Sequence, residues 1–149
     1  MPLTTTGTLP VEALQYIRSQ GAALKGTLEH YKNLLATQSA TLDTARDIYM
    51  SVQRSLEALA EYGAVPGLNE YARIAYNEPT VDVVSDVNAV IAAAGPLWAF
   101  FLANAPTQLP VKDPSQWQGG IYQDAIYAPE SQESTELRGL LDDIAQTIA

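Results

Sequence analysis

From Leu14 to Leu59 the apolar positions follow a 3-4-3-4 spacing through Leu14, Ile17, Gly21, Leu24, Leu28, Tyr31, Leu35, Gln38, Leu42, Ala45, Tyr49, Val52, Leu56 and Leu59. A seven-residue repeat held this long places one apolar stripe along a helix and bends it into a left-handed supercoil. The pattern predicts one amphipathic, coiled-coil-type helix over residues 10–62, roughly 75–80 Å long at the rise of an α-helix. Pro10 and Glu12 suit its first turn, and Gly63 and Pro66 suit its end. The weakest point is Thr37 to Thr41, where Ser39 or Thr41 could cap a second helix and turn the chain back into a hairpin. Because the repeat crosses that point without a phase shift, the continuous helix is the expectation.

The flanking columns refine the picture. With Leu14 as position a, the e column holds Arg18, Lys25, Lys32, Ser39 and Arg46, and the g column offers no acids to face them. Charges pair along the helix instead, Glu29 with Lys32 and Asp43 with Arg46. Leu34 and Ile48 in the g column widen the stripe, which disfavours a simple parallel dimer and suits three or more helices. Leu14, Ile17, Leu24, Leu28, Tyr31, Leu35, Leu42, Tyr49, Val52, Leu56 and Leu59 are thus the candidate interface, with a trimer or higher oligomer of the chain expected. Exchanging Leu28 and Leu42 together for Asp should then break assembly while much of the helical content survives.

Beyond the turn at 63–67 the pattern shortens. Residues 68–76 read as a short helix with Tyr71, Ile74 and Ala75 inward. A second helix opens after Asn77 to Thr80, with Val83, Val87, Val90, Ala94, Leu97 and Phe101 on one line. Gly95 and Pro96 should kink it, and Asn104 to Pro106 should end it. The four prolines and the Gly119-Gly120 pair between 105 and 130 predict a protruding loop or β-ribbon arm. Its aromatic residues Trp117, Tyr122 and Tyr127 are candidates for a protein contact or a sugar platform. A last amphipathic helix begins near Ser131 or Ser134, with Leu137, Leu140, Leu141, Ile144 and Ile148 inward. The fold class predicted is all-α: an extended tail (1–9), the long helix (10–62), and an acidic helical domain (63–149) carrying the arm.

Composition narrows the chemistry. With 149 residues and 47% hydrophobic content the chain can build one ordinary core. It has no cysteine and one histidine, so sulfur-type zinc sites and thiolate nucleophiles are excluded. His30 falls at an outer heptad position with no ligand-like spacing to other residues. Asp82 with Asp86, and Asp142 with Asp143, are paired acids without a calcium-loop pattern around them. No phosphate-cradling loop or nucleophile elbow occurs, so neither an enzyme nor a cofactor is expected.

The net charge of −9 is uneven. Residues 1–77 hold six basic and seven acidic side chains, and residues 78–149 hold two basic and ten acidic ones. Such an acidic half would be repelled by phosphate, so nucleic acid is not an expected partner. The uncharged run from Val87 to Val111 is interrupted by prolines and asparagines and reads as a core helix rather than a membrane span. The N-terminal residues lack the basic and apolar regions of a secretory signal, so synthesis and assembly in a cytoplasm are expected.

One resemblance gives these features a setting. Tyr71 through Ile148 includes Ala75-Tyr76-Asn77-Glu78-Pro79, Val83-Val84, Ala89-Val90-Ile91, Trp98, Asn104-Ala105-Pro106 and Glu136-Leu137-Arg138-Gly139-Leu140-Leu141. This segment, about half the chain, resembles small virion proteins of tailed bacteriophages. The resemblance implies a tail- or baseplate-region component, present in several copies in the virion and working without catalysis. A soluble adaptor or assembly chaperone, and an acidic DNA-mimic inhibitor, are the alternatives that the stripe and the acidic half leave open.

Overall fold

The computed structural model describes residues 9–104 and 128–148, with the side chains of 42 and 102–104 left aside. Six helices occur among the described residues: α1 (Pro10–Thr37), α2 (Leu42–Gly63), α3 (Leu68–Ala75), α4 (Val83–Ala93), α5 (Gly95–Asn104) and α6 (Gln132–Thr147). No strand occurs among them, and the all-α class holds. The expected arm falls mostly outside the described residues, and Trp117, Tyr122 and Tyr127 lie there with it.

The expected continuous helix over 10–62 is corrected to an antiparallel hairpin. Gln38 turns to an extended conformation (φ −134°, ψ 155°), and the Thr41 side chain caps α2 by accepting from the Thr44 N–H at 3.3 Å. Thr37 Oγ1 donates back to the carbonyls of Asn33 and Leu34, which closes the last turn of α1. Threonine and serine compete in this way with the helical backbone, and the five polar or small residues from Thr37 to Thr41 break the helix. The two arms then lie side by side: Tyr16 stacks on Tyr62 at 4.1 Å near the open end, and the Tyr31 and Ser51 hydroxyls meet at 3.5 Å further along.

Folding back lets the stripe satisfy itself. Leu24, Leu28 and Leu35 of α1 and Ile48 and Val52 of α2 are fully buried in one core with the later helices. Helix α1 is the hub, packing on α2, α3 and α6, while α4 packs on α2, α3 and α6. At Gly21 the approach of α6's end is close: a Cβ there would lie 3.5 Å from Ile148 Cγ2. Lys32 Nζ of α1 reaches Asp142 Oδ1 of α6 at 2.6 Å, so one of the paired acids of the last helix is held by an ion pair to α1. The expected pairs of Glu29 with Lys32 and Asp43 with Arg46 form at 3.4 and 3.6 Å.

Short-range chemistry sets the remaining joints. Gly67, at φ +80°, opens α3 in a conformation a side chain would strain. Asn77 at φ 51° closes it: Glu78 N–H bonds the Arg73 carbonyl and Asn77 N–H the Ile74 carbonyl, the paired bonds of a Schellman end. Helix α4 starts at Asp82, whose carboxylate accepts from Ser85 N–H at 2.9 Å, while Asn69 Oδ1 of α3 accepts from Val83 N–H at 2.7 Å. The expected kink appears as a break at Ala94 between α4 and α5. Val83–Phe101 is long and apolar enough to cross a membrane by length and composition, with 33% of its residues buried in the bundle. Val83, Val87, Val90, Leu97, Phe100 and Phe101 supply the buried face.

Candidate interaction surface

The stripe proposed as an oligomer interface is used inside the chain. Leu14, Ile17, Leu24, Leu28, Leu35, Tyr49, Val52, Leu56 and Leu59 are buried within the one polypeptide, and Tyr31 is half-buried against the same core. Leu42 begins α2, and its side chain lies outside the described set. An open seam along α1 and α2 is therefore corrected to an intramolecular core, because the hairpin and α6 cover the apolar face that a partner would otherwise have to cover.

What remains open is smaller. Between α1, the end of α2, the start of α4 and the last residues of α6 lies a half-open groove of about 380 Å³. Leu14, Ile17, Leu59, Val83, Val87 and Val90 form its floor. Arg18, Tyr76 and Asp86 stand on its lip. The Arg18 guanidinium lies 5.7 Å from the centre of the Tyr76 ring, a cation held on an aromatic face. Neither Arg18 nor Asp86 makes an ion pair among the described residues.

The most exposed large apolar side chain among the described residues lies on α3, outside the lining of this groove. Ile74, near the end of α3, is 80% exposed, and Tyr76, two residues on, is 42% exposed. The expectation that Ile74 and Ala75 face inward is corrected: both are exposed, and α3 buries Leu68 and Ala72 instead. On an eight-residue helix the line from Leu68 to Ala72 is one face, and Ile74 lies well around the cylinder from it. The signal was present as an apolar residue out of phase with its neighbours. Arg18 and the groove itself had no signal at all, since they depend on four helices meeting.

Of the groups singled out as chemical candidates, Asp82 and Asp142 have structural partners. His30 is exposed on α1, its ring 5.2 Å from that of Tyr31. Asp82 caps α4, and the Ser85 N–H first and the Asn69 amide second hold its carboxyl below the usual range. Lys32 likewise holds Asp142 low, and Asp142 in turn raises Lys32. Tyr49 is raised by burial, chiefly, among the rings of Trp98 and Phe101. Among the described residues no group of three or more His, Asp or Glu side chains is placed to hold a metal ion.

The chain matches no family model, no curated protein and no solved structure.

Proposed function

We propose that this chain is a non-catalytic structural subunit of a multi-protein assembly, of the kind found in the tail, neck or fibre-attachment region of a tailed bacteriophage. The observation that carries the contact role is the apolar groove with exposed Tyr76 on its lip and Arg18 and Asp86 unpaired there, together with the exposed Ile74 elsewhere on α3. Apolar centres rimmed by polar groups are what protein interfaces present, and aromatic and arginine side chains are favoured there. The phage setting rests on the resemblance of residues 71–148 alone. Its partners in this reading are further copies of itself and neighbouring proteins of the particle, with no cofactor, nucleic acid or membrane.

A second reading has its own support. The stripe that would have driven obligate oligomerisation is closed by the chain itself, which suits an adaptor or assembly chaperone that binds weakly and leaves. The test is to follow an epitope-tagged chain through fractionation of particles from the cells that produce it. Retention in finished particles at a fixed copy number supports the subunit. Presence only in assembly intermediates supports the adaptor, and sedimentation as a free small protein at every stage overturns both.

A further inference from the structure

We draw no further inference here: the strongest candidate, the half-open apolar groove between α1, the end of α2, the start of α4 and the last residues of α6, has a floor already buried and both an exposed base, Arg18, and an exposed acid, Asp86, on its lip, and nothing in the structure shows what covers it.

Discussion

Ser134 Oγ donates a hydrogen bond to the backbone carbonyl of Leu35 at 3.1 Å, across 99 residues of sequence. Leu35 lies in the last turn of α1, where carbonyls have no partner within the helix. Ser134 lies in the first turn of α6 and is fully buried. One hydroxyl thus completes the end of one helix from the start of another. Ser134→Ala should cost about 1–3 kcal/mol, the penalty for a buried acceptor left bare, read from urea unfolding. A loss under a few tenths would mean that water replaces the hydroxyl.

Leu28 separates a self-covered stripe from an open seam. It is 0% exposed within the single chain. Leu28→Ala should therefore destabilise the monomer by about 2–5 kcal/mol. Leu28→Asp should abolish the fold, with helical circular dichroism lost, because an unpaired charge cannot be held there. A variant that keeps its helices and changes only its association would restore the open-seam reading.

Gly26 sits inside α1 with nothing within 4 Å of where a Cβ would stand, and Gly139 inside α6 is alike. Alanine at either position adds no clash and removes backbone freedom from the unfolded chain. Each substitution should stabilise by about 0.5–1 kcal/mol in thermal or urea unfolding. Gly63 should respond differently, because a Cβ there would crowd Val87 Cγ1 at 3.2 Å.

The ion pair of Lys32 and Asp142 predicts a dependence on pH. The carboxyl is lowered from its ordinary 3.8 in the folded chain, so its contribution is present above that value and is lost as pH falls through the lower folded one. Lys32 is raised from 10.5, so its contribution is present below that value and disappears as pH rises through the higher folded one. Asp142→Asn should therefore lower the urea midpoint at pH 6, and the gap from the unsubstituted chain should close as the acid limit is approached. A gap that persists unchanged at pH 2 would assign it to packing instead. Asp82, also lowered, adds to the same acid limb in both proteins.

The repeat from Leu14 to Leu59 showed which side chains are buried, but not by what. A heptad pattern is equally satisfied by a partner helix or by the same chain turned back, since both present apolar side chains at the same spacing. The decision rested on Thr37 to Thr41, where local capping outweighed continuity of the repeat. The core faces of α4 and α6, the break near Gly95 and the pairing of Glu29 with Lys32 were legible, being set by residues close in sequence. The groove was not, because Arg18, Tyr76 and Val87 are brought together only by packing. Ile74 stood in plain view in the sequence and was misread as core.

The bond from Ser134 to Leu35 also fixes an order of events during synthesis. The α1–α2 hairpin is local and can close as soon as its residues leave the ribosome, but α6 is made about 99 residues after the carbonyl it serves. At roughly 5–20 residues per second that interval is about 5–20 s. Through it the face of α1 that α6 will cover lies bare, which is the time of greatest exposure to mispairing with another nascent chain. The last helix is thus the latch that makes the first one safe.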